Sequence, residues 1–166
     1  MQKKLACISK VGESMPAVAF NGSKTTDVVT NDINYRVWNP CKTTRTECSG
    51  SGEDRECVEV CVGGWDYFSG GSSTIHGTIV ASSPNVFVNG KSISRANDNV
   101  TETETPHVPG EPTSNHTGGT GRVTIGNSRN VFSGGQLVAT IGSSVKTHSV
   151  PTTTVANGSA NVFIGG

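Results

Sequence analysis

The chain is short of almost everything that thickens a core or charges a surface. Hydrophobic residues fill 33% of its 166 positions, aromatics 5% and charged residues 16%. Thirteen basic residues balance thirteen acidic ones, which excludes the electrostatic footprint of a nucleic-acid binder or a ligand of anionic membranes. No apolar run approaches the length of a membrane span. The start, "MQKKLACISK", carries positive charge and a Leu-Ala-Cys but no apolar segment, so no signal peptide is expected. Synthesis in a cytoplasm, with any export by a machine rather than a cleaved leader, is the corresponding expectation. A nucleophile elbow, an HExxH motif and a paired acid–base constellation are all missing, so neither an enzyme nor a small-molecule substrate is expected. Helical periodicity is missing too.

Gly, Ser, Thr and Asn occupy the space left over, and a chain so poor in apolar surface needs staples: a metal, disulfides or a partner. It also repeats itself. "SSPNVFVNGKSISR" spans 82–95, "NSRNVFSGGQLVAT" spans 127–140, and the chain closes on "NGSANVFIGG". Alternating β-branched or aromatic and small polar residues give strand periodicity. Asn89-Gly90 and Gly134-Gly135 suit the positive φ angles of two-residue hairpin turns. The third unit stops halfway, and "ACISKVGES" near the N-terminus resembles the missing half, so an N-terminal strand is expected to complete it. "PAVAFNG" at 16–22 is a fainter echo of the same pattern. Self-similar β units that cannot bury a face alone must close on one another, so the fold class is all-β.

The four histidines are His76, His107, His116 and His148, and every junction between repeats supplies at least one. If rotation relates the units, these loops meet at one end of the axis. Four imidazoles there would hold one structural metal ion, Zn first and Fe second, and supply folding free energy directly. Solvated loop histidines are the plain alternative.

"HGTIVASSPNVFVNGKSISR", "GRVTIGNSRNVFSGG" and "VANGSANVFIGG" together resemble the PAAR-repeat family, over residues 1–14 and about 72–166. The naming tetrapeptide is degraded to Ser92-Ile93-Ser94-Arg95 and Leu137-Val138-Ala139-Thr140. The resemblance implies a small conical domain of three pseudo-repeated β units. Its point would hold a metal through three histidines, His76, His107 and His116, and usually a cysteine, whose place His148 takes here. It implies a spike tip that caps a trimeric β-helical spike, one cap per trimer, and meets a target cell envelope transiently. The setting is a contractile phage tail or a type VI secretion machine. The end at "NVFIGG", with no effector behind it, favours the virion tail tip.

Residues 15–71 fall outside the resemblance and are expected to form an irregular insertion. They hold Cys41, Cys48, Cys57 and Cys61 in the pattern C-x6-C-x8-C-x3-C, both tryptophans and both tyrosines. The spacing does not match paired C-x2-C knuckles; disulfides, a second metal and plain thiols stay open. Cys7 is expected to pack as a small hydrophobe. Glu53, Asp54, Glu56 and Glu59 read as a solvated acidic face. The functional alternative is a secreted effector or hydrolase whose activity lies in 15–71; a third is an adhesive module using the insertion's aromatics.

Overall fold

The computed structural model describes residues 15–114, 116–128 and 130–164. The expected N-terminal strand within 1–14, and Cys7 with it, lie outside the described residues. The protein is all-β, as composition and period require. Its strands are β1 (Val28–Ser49), β2 (Glu56–Val80), β3 (Phe87–Val88), β4 (Lys91–Ser92), β5 (Asn99–His107), β6 (Glu111–Pro112), β7 (Gly118–Val123), β8 (Phe132–Ser133), β9 (Gln136–Leu137), β10 (Ser144–Lys146) and β11 (Thr152–Thr154). The main sheet runs β11-β10-β7-β5-β2-β1-β6 and curls into a half-barrel. Residues 22–26 close the gap at its edge. Thr25 donates its amide to Gly77 at 3.1 Å, Thr26 donates to Thr154 at 2.8 Å, and Ala156 donates to Lys24 at 2.8 Å. That segment therefore lies between β2 and β11, and closure leaves no bare edge there.

The Asn-Val-Phe repeats form tight hairpins. Asn89 (φ 50°) and Gly90 (φ 76°) turn the first, Gly134 (φ 56°) and Gly135 (φ 77°) the second, the left-handed conformation those residues suit. Phe87 pairs with Ser92, and Phe132 with Leu137. In the third unit Phe163 pairs with Ala17, and the Ile164 amide donates to Pro16 at 3.1 Å.

The chain thus closes cyclically, and residues 16–23 pair with the third unit where a second half was expected. The symmetry is visible in single bonds. The Ala19 amide donates to the Ala139 carbonyl, Ala139 to Ser94, and Ser94 to Ala19, each at 2.9 Å. Bridges cycle the same way: Val18 with Thr140, Val138 with Arg95, Ile93 with Phe20. The faint "PAVAFNG" echo is therefore the third copy of the motif. The expected boundary moves accordingly: residues 16–27 belong to the body and complete it.

Two apolar clusters fill the body. One joins Ala19, Ile79, Val100, Val123, Ala139, Val145 and Val155; the other joins Val18, Val88, Ile93, Val138 and Ile164. All are small or β-branched, which is how a chain poor in apolar residues still packs a dry centre. The three hairpin phenylalanines face away from it. Phe87, Phe132 and Phe163 are 58%, 58% and 49% exposed, near-equal values at three equivalent places.

The insertion is a ribbon, more regular than its composition suggests. β1 and β2 pair antiparallel from Val28 with Ile75 out to Ser49 with Glu56, with three register shifts along the way. Cys41–Cys61 and Cys48–Cys57 are disulfides, nested as the antiparallel register requires. Tyr35 stacks on Phe68 at 5.2 Å, Trp38 meets Trp65 edge-on at 5.3 Å, and the Arg36 guanidinium sits 4.1 Å from the Trp65 ring centre. Cross-strand pairs of this kind stand in for a core.

Candidate metal centre

Strand β5 reads Asn-Val-Thr-Glu-Thr-Glu-Thr-Pro-His, and its period of two decides the site. Val100 points into the apolar cluster, so Glu102 and Glu104 point inward beyond it, while Thr101, Thr103, Thr105 and His107 point outward. The same parity on β2 places Ser73, Ile75, Gly77 and Ile79 inside and His76 outside. His76 therefore ends in an exposed contact, Nδ1 to Asp27 Oδ1 at 2.8 Å. His107 Nε2 meets Thr74 Oγ1 at 2.8 Å on that outer face.

Two of the four histidines do converge. The Glu104 carboxylate oxygen Oε2 lies 3.5 Å from His116 Nδ1 and 3.6 Å from His148 Nε2. Asp32, near the root of β1, completes a group in which donor atoms of Asp32, Glu104 and His116 all lie within 4.8 Å of one another. The structure thus joins His116 and His148 through carboxylates and leaves His76 and His107 apart, in place of the expected cluster of four imidazoles.

The spacing suits an ion better than direct bonds. At 3.5 and 3.6 Å the two imidazole–carboxylate contacts are long for hydrogen bonds. Donors around a tetrahedral ion at about 2.0–2.1 Å are separated by roughly 3.3 Å. The surroundings aim the donors. His148 Nδ1 contacts Glu102 Oε2 at 2.6 Å, and its backbone amide donates to the same oxygen at 2.8 Å. With Nδ1 as the donor, Nε2 is left with its lone pair toward Glu104, the arrangement carboxylates impose on metal-binding histidines. Ser114 Oγ meets His116 Nε2, which leaves Nδ1 for the site. Ser73 donates to Glu104 Oε1, and Ser149 donates to Asp32 Oδ2 at 2.6 Å. The Ser149 hydroxyl is the main reason the Asp32 carboxyl sits below its ordinary value.

Charge gives the same direction. Glu102 and Glu104 side chains are 0% and 3% exposed, and Glu102 Oε1 has no hydrogen-bond partner among the described residues. Ionised, Glu102 and Glu104 bring two buried negative charges against two imidazoles, with the exposed Asp32 beside them, and burial of unpaired charge is costly. A divalent cation offsets two of those charges. Asp32, Glu104 and His116 form a borderline donor set open to Zn²⁺ or Fe²⁺, and His148 approaches it through Glu104 from outside that group of three.

Room for this cluster comes from "GGTG", residues 118–121. A Cβ at Gly119 would lie 2.6 Å from the His148 side chain, and one at Gly121 would lie 2.3 Å from Glu102 Oε1. The alternation "TETE" carried the missed signal: on one strand it commits both carboxylates to one face. Cys41, Cys48, Cys57 and Cys61 form no second metal site, since all four are spent in disulfides. Comparisons with family models, with curated proteins and with solved structures find no match to this chain.

Proposed function

We propose that the protein is a non-catalytic cap for a trimeric β-helical spike, stiffened by one divalent ion held by Asp32, Glu104, His116 and His148. The observation that carries this reading is the cyclic hydrogen bonding of Ala19, Ser94 and Ala139, which gives a single chain three equivalent faces. A lone protomer with internal three-fold repetition matches a three-fold partner one to three. The equivalent phenylalanines Phe87, Phe132 and Phe163, with Val86 and Val131 beside two of them, supply an exposed apolar surface at the hairpin end. Blunt β-helix ends carry unpaired strand edges, which a cap of β hairpins covers. The ion would lie beyond the inner cluster, past Val100, on the side away from those hairpins. Within this reading the protein belongs to the PAAR-repeat family and works at the tip of a contractile phage tail or a type VI secretion machine. The ribbon's disulfides accord with an oxidising destination.

Mixing the purified protein with a trimeric β-helical spike fragment and weighing the complex by light scattering tests the reading. One protein per trimer is expected, and Phe87→Asp with Phe132→Asp and Phe163→Asp should abolish it. Absence of a complex with any such spike, or a three-to-three complex, would count against the cap.

A further inference from the structure

The chain has two tryptophans, Trp38 and Trp65, and both lie in the ribbon, against each other, beside the Cys41–Cys61 bridge. Their surroundings differ from the body in one respect. Among the described residues, no side chain from Asn34 to Ser72 is buried, whereas Ile33, Ser73 and Ile75 at the root are. Lateral support is equally thin. β1 gains only Tyr35 and Arg36 pairing with β6, and β2 pairs with β5 only from Ser72 to Val80. Beyond Arg36 the ribbon is therefore an isolated two-stranded hairpin, a structure that is marginal in water by itself. Aromatic pairs and one cation–π contact add a fraction of what a buried core supplies. Two cross-links at separations of 20 and 9 residues remove the chain entropy that would otherwise open it.

We propose that the outer ribbon is a redox-conditioned element, a stiff rod with both disulfides formed and an open loop with both reduced, over a body that keeps its fold in either state. Each bridge forms when two protein thiols exchange with a small-molecule disulfide, which leaves as two thiols. In the reverse direction a phosphine breaks the S–S bond, two S–H bonds form, and the phosphine takes oxygen from water as its oxide. The device follows from where the core is. No member of either apolar cluster lies between residues 34 and 74. A chain made among thiols and used in an oxidising setting would carry a compliant loop during assembly and a rigid, aromatic-bearing rod afterwards. The aromatic faces of Trp38 and Tyr67, 53% and 67% exposed, are ordered by the same event.

The test uses the full chain in a Cys7→Ser background, prefolded and oxidised, then treated with a phosphine reductant. Trypsin has sites at Arg36, Lys42, Arg45 and Arg55 in the ribbon and at Lys24, Lys91, Arg122 and Lys146 in the body. Reduction should speed cleavage at the ribbon sites at least tenfold, move tryptophan emission to longer wavelength, and leave hydrogen exchange at Val100, Val123 and Val145 unchanged. C41S with C61S should shift the emission, and C48S with C57S should leave it near wild type, because the paired tryptophans stand nearer along the ribbon to the inner bridge than to the outer one. Ribbon cleavage that changes less than twofold on reduction would overturn the proposal. So would loss of exchange protection in the body at the same reductant concentration.

Discussion

The body and the ribbon hold together by different means. In the body, small β-branched side chains from three equivalent units meet on an axis, and every unit leans on the next through bonds such as Ala19 to Ala139. In the ribbon beyond Arg36 each residue leans on the strand opposite, and covalent bridges take the place of burial. A sequence with 33% hydrophobic residues can finish one core but not two. The candidate metal centre sits where the two parts join, since Asp32 comes from the ribbon's root and Glu104, His116 and His148 from the body.

The largest way to separate the two parts is to damage the core. Ile79→Ala empties a fully buried place in the inner cluster and should lower unfolding free energy by about 2–5 kcal/mol. Trp38→Ala should change the body's melt by less than about 0.5 kcal/mol, because the side chain is half exposed and packs on Trp65 within the ribbon. Paired calorimetric melts check both. Equal losses would erase the distinction between the parts.

Next in size is the junction. Glu102→Gln keeps the shape beside His148 but removes the charge that orients and polarises the imidazole. Metal affinity, read by chelator competition, should fall roughly 10–100-fold. An unchanged affinity would remove Glu102 from its positioning role.

A smaller effect sharpens the three-fold comparison within the body. Ser94 occupies the place that Ala19 and Ala139 hold in the other units, and its buried hydroxyl has no hydrogen-bond partner among the described residues. Ser94→Ala should therefore stabilise the protein by about 1 kcal/mol, measured by denaturant midpoint.

The smallest effect concerns the ribbon's root. Asp32 has a carboxyl held below the ordinary 3.8, mainly by the Ser149 hydroxyl. A depressed carboxyl contributes stability above its unfolded value and loses it as pH falls through the folded one, so this contact should be fully present above pH 3.8 and weaken progressively as pH falls below it. In protein stripped of metal, Ser149→Ala should return the Asp32 titration toward 3.8, followed by carboxyl NMR.

Much of the body was legible beforehand. The three Asn-Val-Phe units, their glycine turns and cyclic closure are local pattern, and local pattern survives folding. The third motif copy was harder. "ACISK" resembles Ser92-Ile93-Ser94-Arg95 more closely than "PAVAF" does, yet the place on the axis demands small side chains and not a particular tetrapeptide. The site was half legible, because counting histidines in loops ignores strand parity. His76 and His107 sit in strands and take the outer face, while the alternation at Glu102 and Glu104 commits two acids to the inner one. The disulfide pairing was illegible until the hairpin register set Cys48 opposite Cys57. The ribbon itself hid behind glycines and threonines that carry no clean alternation.

Elemental analysis of the purified protein and its single-histidine variants tests the central claim most directly. One zinc or iron per chain is expected in the wild type, in His76→Ala and in His107→Ala, with the ion lost in His116→Ala and in Glu104→Ala. A metal-free wild type, or an ion that departs with His76 or His107 and stays without Glu104, would contradict the centre described.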